Sequence, residues 1–117
     1  TLDELLQDAI RRFRDPAPAA RQLGTEKLWD AWERLKTIDN PDKKKGIETL
    51  IAGATASPAL QGLLQAEGTA LSKIGNDFAI RHFETTKEAL TEPSQLEYLF
   101  HRLFALIQLI LVARARP

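Results

Sequence analysis

Apolar residues recur every three or four positions along most of this chain, the spacing that places them on one face of an α-helix. The first stretch predicts a helix over residues 2–14, opened by a capping box at Thr1 and ended by the prolines that follow it. The second predicts a helix over about 19–37. Because Gly24 costs a helix interior roughly 1 kcal/mol relative to alanine, a start nearer Thr25 is the alternative.

In the middle of the chain, a residue suited to cap a helix is followed by proline at two places, and each place predicts a helix start. Asn40 precedes Pro41 and predicts the start of a short helix of about three turns. Ser57 precedes Pro58 and predicts the start of a longer one. That longer helix is expected to end at Gly75, because glycine accommodates the left-handed conformation of a helix C-terminus.

The last predicted helix, residues 94–114, opens on a Ser-x-x-Glu capping box and is apolar on nearly every side. Its second half contains a single uncharged polar residue, Gln108. Such a helix lies at the centre of a fold, wrapped by neighbouring helices or by a second protomer. We do not expect it to span a membrane, which takes about 20 apolar residues, because Glu97, His101 and Arg102 interrupt its first turns.

These elements predict an all-α fold, an antiparallel bundle of four to five helices with the apolar C-terminal helix at its centre. Residues 1–117 are expected to form one domain, excised from a longer protein because the chain lacks methionine even at its first position. Sixteen basic and sixteen acidic residues leave no net charge, so nucleic-acid binding would need a local patch.

Several kinds of chemistry are excluded or disfavoured by composition. Without cysteine there is no disulfide, no thiolate zinc site and no thiol nucleophile, which fits a cytoplasmic location. The chain has only two histidines, no glycine-rich phosphate loop and no His-Glu-x-x-His motif. We therefore expect neither a metal nor a cofactor.

Candidate chemistry concentrates in Ser72–Lys87, where basic, acidic and amide side chains crowd among apolar ones. Arg81 could stabilise a phosphate and His82 could act as general acid or base, with Asn76 and Glu84 orienting them. The competing interpretation is structural: an Arg81–Glu84 ion pair, capped by Asn76, with His82 hydrogen-bonded nearby.

Two other places could join that site. Lys36 could bind phosphate or pair with Glu84, or it could form a solvated pair with Glu33. His101 and Arg102 lie on a narrow polar seam of the last helix, which is either a solvent edge or faces the Arg81–His82 segment. The candidate catalytic residues are thus Arg81 and His82, and the candidate substrate-binding residues are Asn76, Glu84, Lys87, Lys36, His101 and Arg102.

Three segments, 26–36, 76–84 and 98–104, resemble bacterial abortive-infection-type C-terminal domains, which in turn resemble the HEPN superfamily. The resemblance implies a helical bundle that dimerises, with an arginine-containing segment near the dimer interface. In active members that segment makes a metal-independent endoribonuclease, with arginine and histidine from two protomers acting on an RNA phosphodiester. Members occur in phage-defence and toxin systems, and inactive members serve as binding modules.

The positions where the family's second histidine is expected hold Thr86, Lys87 and Glu88. Together with the apolar last helix, this favours a non-enzymatic dimerisation or interaction module of a bacterial phage-defence protein, with RNA or nucleotide as a further candidate ligand. The alternative is a metal-independent endoribonuclease using Arg81 and His82. The expected partner is a second copy, bound through the C-terminal helix.

Overall fold

Five α-helices make up the described part of the chain. The computed structural model describes residues 1–78, 80, 90 and 92–116. The predicted all-α bundle is confirmed, and no strand occurs in these ranges. The helices are α1 (Leu2–Arg14), α2 (Pro18–Lys36), α3 (Lys43–Ala54), α4 (Pro58–Asp77) and α5 (Pro93–Arg114).

The capping box predicted at Thr1 is present, with the Glu4 amide donating to the Thr1 hydroxyl. The alternative start of α2 near Thr25 is wrong, since the helix begins at Pro18. Gly24 is kept inside α2 because α1 crosses there. A Cβ on Gly24 would lie 2.8 Å from the Phe13 backbone nitrogen, so glycine permits the close approach of the two helices.

The other helices start close to the predicted residues, but not all of them have the predicted N-cap. Ser57 does cap α4, accepting from an amide in the first turn. For α3 the prediction of Asn40 is wrong: Asp42 is the N-cap, and its carboxylate accepts from two backbone amides. The predicted capping box of α5 is also absent, because the helix begins at Pro93, before Ser94, without a side-chain cap.

Gly75 was predicted to end α4, and this prediction is wrong. It lies inside the helix, two residues before its end. The reason is packing against α2. Trp29 is fully buried and lies on Gly75, while Trp32 lies on Gly68, one heptad earlier on the same face of α4. The indole nitrogen of Trp29 donates to the Leu71 carbonyl oxygen at 2.9 Å. Gly75 therefore makes room for Trp29, whereas a Cβ at Gly68 would make an ordinary contact with Trp32.

Contacts along the bundle fix the directions of α1 and α2 relative to α5. Arg21 near the start of α2 lies 3.9 Å from Glu97 near the start of α5, so these two helices run in the same direction. Helix α4 packs on α2 through Trp29 and Trp32. Helix α1 runs against α5, since its last turn stacks Phe13 on Phe100, with ring centroids 3.8 Å apart.

The predicted central position of α5 is confirmed, because it contacts α2, α3 and α4 and reaches α1 through the phenylalanine stack. Within the described residues, α5 is also the one helix long and apolar enough to cross a membrane by length and composition, with a mean hydropathy of 1.6. Core helices of soluble proteins meet the same criterion. Its buried side chains are Leu96, Leu99, Phe100, Leu103, Leu106, Ile107 and Ile110.

Candidate functional site

The centre of the predicted site lies outside the described residues. Arg81, His82, Glu84 and Lys87 all fall there, so their proposed roles stay predictions. Asn76 is described, and it is exposed in the last turn of α4.

Lys36, at the end of α2, is the best-defined of the predicted site residues. Its side chain is buried, and the residue is only 5% exposed. The ammonium donates to the Ser72 hydroxyl at 2.6 Å and forms an ion pair with Glu33. Ser72 also accepts from the Trp32 indole nitrogen at 3.0 Å. The pair with Glu33 was expected at the solvated surface, and that expectation is wrong: packing against α4 buries it.

Glu33 binds a second cation, the ammonium of Lys43, at 2.9 Å. Burial raises the pKa of the Glu33 carboxyl, but hydrogen bonds from Lys36 and Lys43 outweigh it and hold the pKa below its ordinary value of 4.5. The carboxylate is therefore charged at neutral pH. Lys36 thus links Glu33 on α2 to Ser72 on α4. This arrangement is suited to holding α2 against α4.

His101 and Arg102 are neighbours in sequence but point to different sides of α5, about 100° apart. The His101 ring lies edge-on to Phe13 at 5.7 Å, on the α1 side. Arg102 instead reaches α4, where its guanidinium forms two parallel contacts with Glu67. Glu97, His101 and Gln108 are all exposed, which fits a solvent edge, while the alternative, a face toward Arg81 and His82, concerns residues outside the described ranges.

Those candidate substrate-binding residues that the structure describes do not all lie in one site. Arg21, which lies beside Glu97 and hence close to His101 along α5, precedes Lys36 by fifteen positions on α2. At 1.5 Å per residue, that separation is roughly 22 Å along the helix axis. Lys36 and His101 are therefore at opposite ends of the bundle.

A second feature is a row of residues on the outer face of α5, which we call the α5 seam. The sequence alone does not reveal this row, because the whole helix is apolar. Its residues lie four and three positions apart on the outer face of α5, and its most exposed member is Tyr98, at 63%. The signal that could have identified it is the seven-residue spacing of one tyrosine, one alanine and one valine. The seam consists of Tyr98, Arg102, Ala105, Leu109 and Val112.

Arg102 is the one charged member of the α5 seam, and its charge is matched within the chain. Its guanidinium Nε lies 3.0 Å and its Nη2 2.5 Å from oxygens of Glu67. These hydrogen bonds hold the pKa of Glu67 below its ordinary value and raise the pKa of Arg102, with Tyr98 adding to the latter effect. The seam therefore carries no unmatched charge.

One end of the α5 seam borders a groove between α1 and α5. The groove has a volume of about 320 Å³ and is apolar along most of its length, with polar side chains at its rim. Val112 belongs both to the seam and to this groove. The apolar lining consists of Leu6, Ile10, Phe104, Ile107, Leu111, Val112 and Ala115, and the rim of Asp3, Gln7 and Gln108.

In the described ranges, no group of three or more histidine, aspartate or glutamate side chains is placed to hold a metal ion. No family model, curated protein or solved structure matches this chain.

Proposed function

We propose that this chain is a non-enzymatic interaction module that forms a homodimer through α5. The observation that carries the proposal is the α5 seam, which leaves Tyr98, Leu109 and Val112 exposed on a helix whose opposite face is fully packed. Exposed apolar side chains grouped on one helix face indicate an interaction site more strongly than an isolated exposed leucine does.

Helix α4 widens the surface beside the seam. Its exposed face includes Leu60 and Leu63, and it is joined to α5 by the Glu67–Arg102 pair. Leu60 and Leu63 precede Glu67 by seven and four residues, which places them on the same face of α4 as the Glu67 contact to Arg102. Exposed apolar side chains of α4 thus share a face with the contact to the seam.

A protein partner suits this surface better than a lipid bilayer. Arg102 and Glu67 lie within it, and the exposed Glu97 and His101 lie next to it on α5. Charged groups are costly in a hydrocarbon interior, whereas an ion pair at a protein interface keeps its hydrogen bonds. The resemblance of the chain to abortive-infection-type domains makes a bacterial phage-defence protein the proposed context, with RNA or nucleotide as a candidate ligand.

Replacing Leu109 with glutamate should weaken self-association by more than about 30-fold, equivalent to about 2 kcal/mol, because it would place an unmatched charge in the interface. The mass measured by light scattering across a concentration series should fall from twice 13.1 kDa toward 13.1 kDa. Ile38→Glu is the matched control: Ile38 is 43% exposed against 41% for Leu109, and it follows α2 and is not a member of the seam. A dimer equally stable in both variants would contradict the proposal.

The second candidate function is RNA cleavage, favoured by the adjacent Arg81 and His82, the two residue types that metal-independent phosphodiester cleavage uses. The test is incubation of the purified chain with mixed labelled RNAs in the presence of a metal chelator. If the chain is a nuclease, His82→Ala should abolish cleavage while fold and mass stay unchanged. Intact RNA with the unaltered chain, or equal cleavage by the variant, would reject this function for His82.

A further inference from the structure

We infer that the two copies pair their α5 helices antiparallel about a two-fold axis at Ala105, with Tyr98 of each copy seated in the α1–α5 groove of the other. The inference rests on the proposed dimerisation and specifies its geometry. In such a dimer the same surface is used twice, so it must be complementary to itself. Three features of the α5 seam meet that condition.

The first feature is spacing. Tyr98 and Val112 lie seven residues on either side of Ala105, roughly 10 Å along the helix axis in each direction. An antiparallel pair centred on Ala105 therefore brings Tyr98 against the partner's Val112, and the converse contact follows by symmetry. The small side chain at the centre lets the two helix axes approach closely.

The second feature is a projection at one end of the seam and a groove at the other. Tyr98 is the most exposed large apolar side chain of the chain's described part. Val112 forms one edge of the groove between α1 and α5, beside Phe104 and Leu111. The polar rim, which includes Gln108, supplies hydrogen-bond partners for a phenol hydroxyl entering this apolar groove.

The third feature is charge, and it separates the antiparallel arrangement from the parallel one. A parallel pair would place Arg102 against the partner's Arg102, and like charges facing each other are destabilising. In the antiparallel pair, Arg102 lies near the partner's Leu109 and keeps its own Glu67. Neither copy then has to neutralise a charge of the other.

Cysteine cross-linking tests this geometry, because the chain contains no cysteine of its own. Ala105→Cys should form a disulfide with itself under mild oxidation. Tyr98→Cys should not, since the two positions would be roughly 21 Å apart along the antiparallel helices, whereas a disulfide needs Cα atoms within about 7 Å. A mixture of Tyr98→Cys and Val112→Cys chains, tagged differently, should give the mixed disulfide.

A second pair of cysteine variants tests the same geometry without replacing Tyr98. His101→Cys and Leu109→Cys lie four residues on either side of Ala105 and leave Tyr98 in place, so their mixture should also cross-link through a short bifunctional maleimide. The oligomeric mass of each unoxidised variant is measured in parallel, which separates a lost dimer from a different dimer.

Every other outcome contradicts either the proposed geometry or the proposed dimerisation. A dimer in which Tyr98→Cys cross-links with itself would be parallel, so the proposed dimerisation would stand and this geometry would fail. A dimer in which Ala105→Cys does not cross-link would overturn the two-fold axis at Ala105. A monomer that forms no disulfide would overturn the proposed function itself, and one that floats with phosphatidylcholine–phosphatidylglycerol vesicles would assign the seam to a lipid surface.

Discussion

Replacing Lys36 with methionine is expected to lower the free energy of unfolding by about 3 kcal/mol, the lower end of the range for breaking a buried ion pair. Methionine retains most of the aliphatic stem, so the loss isolates the ammonium. That ammonium is hydrogen-bonded to Ser72, paired with Glu33 and placed 5.4 Å from the centre of the Trp32 ring. The expected cost is at the lower end because Glu33 keeps its contact with Lys43.

The matched control is Lys43→Met, which removes the other cation from the same carboxylate. The Lys43 side chain is 56% exposed, and exposed pairs contribute about 0–1 kcal/mol. Urea denaturation of the two variants and the unaltered chain measures the difference. Equal stability of the two variants would show that Lys36 has no structural role, and phosphate binding by Lys36 would then become the better hypothesis.

The pH dependence of this effect has a defined sign. Burial raises the pKa of Glu33, but its two lysine partners lower it further, so its pKa in the folded chain is below the ordinary 4.5. A carboxyl with a depressed pKa stabilises the fold above its unfolded pKa, and this contribution disappears as the pH falls through the folded value. The stability difference between the unaltered chain and Lys36→Met should therefore be complete at neutral pH and shrink below about pH 4.5.

Most of the fold could be predicted from local sequence signals, because the formation and capping of a helix depend on residues close together in the sequence. The capping box at Thr1, the apolar stripe of α2 through Trp32 and the central position of α5 could all be derived from spacing of a few residues. The burial of Lys36 could not, since it depends on Ser72, 36 positions away in sequence. An i,i+3 charge pair has the same sequence pattern whether another helix covers it or not.

The α5 seam is a second feature that local sequence signals could not predict. The heptad spacing of Tyr98, Ala105 and Val112 is visible in the sequence, but both faces of α5 are apolar, so the sequence alone does not show which face is left exposed. Packing of α2 and α3 against the other face decides it. For Arg81 and His82, which lie outside the described residues, the interpretation still rests on residue type and resemblance.

Gly75 lies inside the Ser72–Lys87 stretch, and its substitution by alanine should have a large effect for a reason unrelated to catalysis. A Cβ there would be closer than 3.0 Å to two atoms of the Trp29 ring. Trp29 is fully buried and held by its hydrogen bond to the Leu71 carbonyl oxygen, so the ring cannot move away without losing that bond. Overpacking and the lost hydrogen bond together should cost about 2–4 kcal/mol.

Gly62→Ala, in the same helix, is the matched control and should have the opposite sign. Nothing lies within 4 Å of a Cβ at Gly62, so alanine there should raise stability by roughly 0.5–1 kcal/mol through its greater helix propensity. Thermal and urea unfolding of both variants measure the contrast, and a neutral or stabilising Gly75→Ala would refute the packing argument. If the contrast is found, any loss of RNA cleavage or dimerisation in Gly75→Ala has to be attributed to the fold. Tests of dimerisation should then use the exposed residues of the α5 seam rather than Gly75.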